Sequence, residues 1–561
     1  MVEPTANQAE IRDHEGLSLL VVAPAGCGKT EALGLRAKGL IVRGVATAPR
    51  RLLVTTFSNR ARDNARDRLR SYLTPQEMRD LVTVSNFHGL AGRIFRAHAN
   101  VIGLSPAMIQ PESDWVGEQC RARNLSFPTS ADVQRRLREA KQEARDDAAV
   151  DAELVRGGNL TALEIERQRV AEGRLTYDDL PRLAELILAN DQVADLYCNH
   201  FAAVIVDEFQ DLTPQQLRIV NRIGYGKTTF AGDLAQGIYR FAGAKPDQVH
   251  DALQVECADT IAFSESHRSS PAVLAMVNSL KGLTGGQTLT AANPDSWPHG
   301  GLAGGVGFSD VGSEADWVVA LCERILMKAP GQRIGILART KPRRRFVDER
   351  VEASGLPFHR WEDGVLDTDT ARAMKAMLTR LSVADFNAAG DQLEFLRVVI
   401  GLDSIQDYSD RTAMADAINW CCDLMQAGVT PASISSRIRV GDDSTLLTLP
   451  GVHLLTGHAG KGQQFDWIVV VGLEEDTLPD FREKGTGEGL AEEARILAVM
   501  MSRARHGVVV THSGTVPTMS GAIRKREASQ FWGPLQAGCW VQRDAIEAWI
   551  DGADWESIAN R

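Results

Sequence analysis

A chain of 561 residues, 44% of them hydrophobic and 24% charged, has the composition of a soluble protein long enough for several domains. Its formal net charge of −11 excludes a uniformly basic surface for wrapping nucleic acid, while leaving room for a local basic groove. No apolar run reaches membrane-spanning length, and the opening MVEPTANQAEIRDHEG is polar and acidic, so a cytoplasmic protein with no membrane partner is expected.

In chain order, the first apolar run, Leu19–Val22, leads directly into APAGCGKT (23–30), and a helical pattern follows. This is the strand–loop–helix setting in which backbone N–H groups and a helix N-terminus cradle phosphates. Gly26 and Gly28 allow close backbone approach, Lys29 suits the β/γ-phosphates and Thr30 a metal, with Ala25 and Cys27 completing the loop. Ala23 stands where the strict pattern has its first glycine. Strand-like runs recur at 52–56, 81–85, 203–207 and 228–231, with amphipathic stretches between several of them, which predicts a parallel sheet covered by helices. The run 203–207 ends in VDEFQD, where Asp207 supplies the carboxylate that magnesium needs and Glu208 an acid to orient or activate water. Together the two segments predict an NTPase.

The stretch 105–175, rich in Arg, Glu and Ala, interrupts this sheet with helical polarity, and DVQRRLREAKQEARDDAAVDAELVR (132–156) reads as a solvated helix or helix pair. The glycine-rich piece 281–306 reads as a flexible crossing to a second α/β pattern. That pattern has strand candidates at 305–308, 333–338, 451–456, 467–472 and 507–511, and a smaller helical insertion at 365–445. KPRRR (341–345) reads as a solvated charge run, with phosphate contact as the alternative. The helical, acidic tail 515–561 carries Trp532, Trp540, Trp549 and Trp555, and reads as a core cap rather than a partner-docking element. The eight cysteines include no C-x-x-C pair, so neither a zinc site nor a disulfide framework is indicated.

Nine further segments fall in a fixed order: LLVTTFSNRARDNARDRL (52–69), SNFHGLAGRIFRAH (85–98), LTYDDL (175–180), VIVDEFQDLTPQQ (204–216), FAGDLAQGIYRFAGA (230–244), SESHRSSPAVL (264–274), IGILARTKPRRR (334–345), HLLTGHAGKGQQFDWIVVVGLEEDTLP (453–479) and EEARILAVMMSRAR (492–505). With Gln8 upstream, the chain resembles the UvrD/Rep-like helicases of superfamily 1 over nearly its whole length. The resemblance implies two RecA-like domains, each with an inserted helical subdomain, and ATP with Mg²⁺ in the cleft between them. The expected divisions are 1–104 with 176–280, insertion 105–175, then 281–364 with 446–514, insertion 365–445, and the tail 515–561. It implies that Gln8 reads the adenine, Gln236 senses the γ-phosphate, and Arg268 and Arg503 stabilise charge in the transition state. It also places Phe57, Asn59, His88, Phe241 and His458 along a single-stranded DNA path, where stacking holds bases without regard to sequence.

Three departures from the family pattern stand out. Ala242 replaces an arginine, His267 replaces a tyrosine that stacks on adenine, and Gln464 replaces a glutamate, a candidate ribose or domain-coupling contact. Imidazole and amide can still stack and hydrogen bond. The family resemblance implies a 3′→5′ single-stranded DNA translocase and helicase of repair or recombination, acting on single-stranded or tailed duplex DNA. The alternative is a nucleic-acid-sensing ATPase subunit that regulates a partner such as a nuclease or repair factor, the part played by a compact relative in Gabija-type phage defence. The altered cleft and short second insertion favour this alternative, and the intact hydrolytic set favours the motor.

Overall fold

The computed structural model describes residues 3–111, 115–361, 365–366, 368–402, 408–440, 448–458, 461–483, 487–518, 521–538 and 541–561. Two six-stranded sheets, all of whose neighbouring strands run parallel, organise the chain. The first contains β1 (Leu19–Val22), β2 (Arg51–Thr56), β3 (Val82–Asn86), β4 (Phe201–Asp207), β5 (Thr228–Gly232) and β6 (Thr260–Ala262), in the order β3-β2-β4-β5-β1-β6. The second contains β7 (Leu302–Phe308), β8 (Arg333–Ala338), β9 (Phe358–Arg360), β10 (Gly451–Thr456), β11 (Phe465–Val470) and β12 (Ala504–Ser513), in the order β9-β10-β8-β11-β12-β7. β1, β4 and β5 are buried along their whole length, as parallel strands covered on both faces must be. This is the doubly covered α/β architecture of two RecA-like domains.

The register of the first sheet explains the position of the site. β5 lies between β1 and β4, so the loops leaving β1 and β4 are two strand spacings apart, roughly 10 Å. The loop leaving β5 fills the gap between them. That loop carries Gln236.

Helices Trp115–Ala122, Phe127–Lys141, Asp147–Gly157 and Leu160–Ala171 stand between β3 and β4 and share a small core around Val133, Leu137, Val150 and Ile165. The polar stretch 132–156 is thus a helix pair, but one edge of it is far from solvated. Lys141 Nζ reaches Glu166 at 2.8 Å and Asp179 at 3.0 Å, and Arg169 and Arg182 converge on Asp179 and Asp147. Asp179, from LTYDDL, is fully buried, and its cluster of cations keeps it ionised against the cost of burial. Helices between Thr368 and Arg437 stand between β9 and β10 and form another core around Met374, Phe386, Leu396 and Ile418.

Three expectations are corrected. β6 and β9, each three residues long, have no counterpart among the expected strands. The glycine-rich crossing ends in buried β7: a Cβ on Gly304 would lie 2.5 Å from the Val541 carbonyl, so glycine here permits close packing, not flexibility. Arg343 and Arg344 of KPRRR are buried, Arg343 between Glu314 and Glu474 and Arg344 on Asp348, which rules out a solvated run or a phosphate site at these two. Helix Pro271–Asn278, just before the expected edge at 280, serves both cores, since Leu274 and, beyond the edge, Leu289 join the first. Ser269 Oγ donates to the Ala504 carbonyl at 2.7 Å, and Val273 and Met276 of helix Pro271–Asn278 join the core beneath β12. The expected edges at 364 and 445–446 lie outside the described residues.

In the tail, Ile546 and Ile550 of helix Arg543–Gly552 enter the second core, and Trp549 and Trp555 contact Trp467 at 5.7 and 5.6 Å. Trp532 meets His512 edge-on at 4.5 Å, and Trp540 lies outside the described residues.

Replacing Asp179 by alanine strands Lys141, Arg169 and Arg182 without their shared anion. Losing one partner of a buried pair costs about 3–5 kcal/mol, so thermal unfolding of Asp179→Ala is expected at a clearly lower midpoint. An unchanged midpoint would show that the network does not stabilise the insertion.

Candidate active site

The loop after β1 owes its shape to glycine. Gly26 and Gly28 both have φ +84°, and a Cβ on Gly26 would sit 2.6 Å from that of Arg268. Ala23 has no such demand: it extends β1, its N–H donating to the Gly232 carbonyl at 2.9 Å, which is why the missing first glycine is tolerated. Helix Lys29–Val42 then starts with its free N–H groups facing the loop. Cys27 is buried, and burial pushes its thiol up to about 12, so it is an inert packing residue.

Lys29 spans the gap left by β5. Its Nζ lies 3.1 Å from Asp207 Oδ1 and 2.5 Å from Glu208 Oε2. Burial opposes the Lys29 charge, but the two acids outweigh it and hold the ammonium protonated. Burial likewise opposes the acids. Lys29 and Lys461 keep Glu208 ionised at about 2, while burial with Glu208 as neighbour pushes Asp207 up. Glu208 has left-handed backbone, φ 59° and ψ 51°, an uncommon conformation for a residue with a side chain and one that turns its carboxylate away from the strand.

A line of hydrogen bonds leaves Glu208. Gln210 Nε2 donates to Glu208 Oε2 at 2.5 Å, Asp233 N–H to Gln210 Oε1 at 3.0 Å, and Gln236 Nε2 to Asp233 Oδ2 at 2.9 Å. Arg503 Nη2 then donates to Gln236 Oε1 at 3.2 Å, joining the second sheet to the first. Burial, with Arg268 as a like-charged neighbour, holds Arg503 down at about 9. Arg268 Nη1 is buried without a hydrogen-bond partner. Two buried guanidiniums facing one space, one with an unmet donor, leave that space short of negative charge.

The space is a cleft of about 990 Å³, to which Thr30, His267, Gln464, Lys461 and Arg505 also contribute. Thr30, His267 and Gln464 are exposed at its walls. Gln8 sits behind the loop, its Nε2 donating to the Gly28 carbonyl at 3.4 Å and its Oε1 accepting from Thr5 N–H at 3.0 Å as part of a helix capping box. The glycine cradle, the unmet Arg268 donor and the cation pair fit a nucleoside triphosphate. Asp207 and Thr30 are oxygen donors on the cleft wall of the kind a magnesium ion takes.

An aromatic cluster begins at the cleft wall, which Phe57 and Tyr239 line, and runs on to Phe241 and His458. Phe57, half-buried, stacks on Tyr239 with ring centres 5.1 Å apart. Tyr239 meets Phe241 at 5.8 Å, and Phe241 meets His458 edge-on at 5.1 Å. Phe241 is 61% exposed, a large apolar ring left in water. Burial holds His458 down at about 4, so it offers a neutral ring at pH 7. His88 is half-buried and stands apart from this cluster, edge-on to Tyr177 at 5.7 Å. Asn59 opens helix Asn59–Arg70, and its side chain lies outside what the structure describes.

Four contributors had no role in the sequence reading: Lys461, Asp211, Gln210 and Asp233. All lie inside quoted motifs, but Lys461 and Asp211 meet across 250 residues and Gln210 and Asp233 across 23. Lys461 Nζ binds Asp211 Oδ1 and Oδ2, each at 2.7 Å.

Residues 5–254 match the UvrD/REP helicase N-terminal domain, and residues 426–514 the UvrD-like helicase C-terminal domain. The chain is similar to the ATP-dependent DNA helicase UvrD2 of Mycobacterium tuberculosis (strain ATCC 25618 / H37Rv), 26% identical over 555 residues that cover 91% of this chain and 78% of the relative. It is also similar to the ATP-dependent DNA helicase UvrD1 of Mycobacterium bovis, 28% identical over 389 residues, covering 64% of this chain and 49% of the relative. With the ATP-dependent DNA helicase PcrA of Leuconostoc citreum it shares 28% identity over 290 residues, 49% of this chain and 38% of the relative. Two RecA-like sheets, a phosphate loop facing an acid pair, and both family domains in order lead to one conclusion: the chain belongs to the UvrD/Rep-like helicases of superfamily 1.

Proposed function

We propose that this protein hydrolyses ATP to move 3′→5′ along single-stranded DNA and to open tailed duplexes, in DNA repair or recombination. The observation that carries the reading is the Gln236–Arg503 contact, which joins a cation at the start of β12 to the line of hydrogen bonds that begins at Glu208. Hydrolysis then depends on the distance between the sheets, and a cycle of closing and opening becomes a cycle of grip and release.

In this reading the Gly26–Thr30 loop and Lys29 bind the phosphates, and Gln8, His267 and Gln464 border the base and sugar. Thr30 and Asp207 would hold magnesium, which when bound offsets charge on the β- and γ-phosphates. Lys29, which now bridges both acids, must release Asp207 for that role. Glu208, ionised and aimed by its left-handed turn, orients water and accepts its proton. Gln236 registers the terminal phosphate, and Arg268 and Arg503 stabilise the charge that develops on it. Phe57, Asn59, His88, Phe241 and His458 border the strand.

A second reading, an ATPase subunit that senses nucleic acid and controls a partner nuclease or repair factor, is favoured by the compact helical insertion between β9 and β10. Strand displacement on 3′- and 5′-tailed duplexes separates the two. Opening of the 3′-tailed duplex alone is expected; DNA-stimulated hydrolysis with no opening of either would select the second reading.

Glu208→Gln removes the base while keeping shape and Gln210's hydrogen bond. Turnover is expected to fall on the order of 10²–10⁴-fold with nucleotide binding retained, read by steady-state hydrolysis and nucleotide titration. Phe241→Ala removes an exposed ring, so the thermal midpoint should hold while single-strand affinity drops by about 1–3 kcal/mol. Oligonucleotide titration checks it, and unchanged affinity would take Phe241 off the strand path.

A further inference from the structure

Lys461 stands in the loop between β10 and β11, in a turn where its N–H donates to the His458 carbonyl at 3.2 Å. Its ammonium has three donors, and first-sheet acceptors engage them: both Asp211 oxygens at 2.7 Å and the Gln236 carbonyl at 2.9 Å. The pair is almost wholly enclosed, with side-chain exposures of 9% for Lys461 and 2% for Asp211. An exposed ion pair holds geometry weakly, whereas an enclosed one leaves a costly unpaired charge if it separates.

Within the cleft this ammonium stands between the Glu208 turn and the Tyr239 ring. On one side Asp211 N–H donates to the Glu208 carbonyl at 2.9 Å, closing the turn that carries the Glu208 carboxylate. On the other side Lys461 Nζ lies 4.6 Å from the centre of the Tyr239 ring, the ring that stacks on Phe57 and touches Phe241 and His458. A displacement of Tyr239 reaches Glu208 through one side chain.

We propose that Lys461, anchored on Asp211, is a positioning residue that couples occupancy of the aromatic cluster by a nucleic-acid strand to the placement of Glu208 in the nucleotide cleft. The inference rests on the reading of the cleft as an ATP site and of the cluster as part of the strand path. Lys461 touches no reacting atom. It sets the turn from which Glu208 acts and transmits the position of the Tyr239 ring to that turn.

The test uses the full chain with Lys461→Met, Lys461→Arg, and Lys461→Met combined with Asp211→Asn, which removes both charges and leaves no stranded acid. Turnover is measured with and without a single-stranded oligonucleotide, alongside nucleotide and oligonucleotide affinity. Hydrogen–deuterium exchange of segment 234–241 is followed on adding a non-hydrolysable ATP analogue. In Lys461→Met and in the double variant, stimulation by the strand at saturating nucleotide and oligonucleotide is expected to fall about 5–150-fold, the span of a typical coupling free energy, beyond any change in either affinity. The analogue should slow exchange in 234–241 in the wild type and not in these variants, and Lys461→Arg should recover part of both effects. Full stimulation together with a retained exchange response in Lys461→Met overturns the proposal. So does an equal fractional loss of basal and stimulated turnover with a lowered thermal midpoint, which assigns the pair to the fold. A wild type that hydrolyses ATP without stimulation by DNA defeats the proposed function instead, and the exchange response then decides the inference by itself.

Discussion

Glu208, Gln210, Asp233, Gln236 and Arg503 form one buried line of hydrogen bonds, and the line crosses from the first sheet to the second. Each link needs the one before it. Glu208 is aimed by a left-handed turn, Gln210 is held by the Asp233 backbone, and Gln236 reaches both Asp233 and Arg503 because β5 lies between β1 and β4. In a low-dielectric interior an incomplete polar network is worse than none, so the sheets hold this arrangement only when all five groups are satisfied. The position of the second domain is thereby built into the geometry of the acid.

The electrostatics of the cleft point the same way. Lys29 lies across both acids, Lys461 on Asp211, and Arg268 and Arg503 crowd each other with no acid of their own. Within one cleft the acids are thus paired with lysines, while Arg268 keeps an unmet donor. In the proposed function a bound triphosphate would supply negative charge beside the guanidiniums and compete for Lys29, which would free Asp207. Substrate binding and site assembly are parts of one charge rearrangement.

Elsewhere, buried ion networks fix the attachment of helices to sheets. Asp179 gathers Lys141, Arg169 and Arg182, and Arg343 lies between Glu314 and Glu474. Such networks contribute less to net stability than apolar packing of the same volume, but breaking them is costly, so they favour a single arrangement of the parts they join. The helices between β3 and β4 also reach the aromatic cluster, since Arg138 donates to the Phe241 carbonyl. The backbone that carries the exposed ring is therefore braced by a side chain from a different element.

The amino-acid sequence by itself determined the phosphate loop, the acid pair, the order of motifs and nearly all strands of both sheets. These depend on local rules: glycine where φ is positive, apolar runs where a parallel strand is covered on both faces, and a helix start after the loop. The short strands β6 and β9 escaped because three residues cannot display a period, and Gly304 misled because composition alone does not distinguish a flexible glycine from one pressed against the Val541 backbone. Arg343 and Arg344 read as solvated for a related reason: the acids that hold Arg343 lie 29 and 131 residues away in sequence. Only the tertiary structure decided that Lys461 meets Asp211 across 250 residues, that Arg503 meets Gln236, and that Phe57 shares a ring stack with Tyr239. A side chain's chemistry is written in its own residue, but its ionisation, burial and partners are set by whatever distant segments the sheets bring beside it.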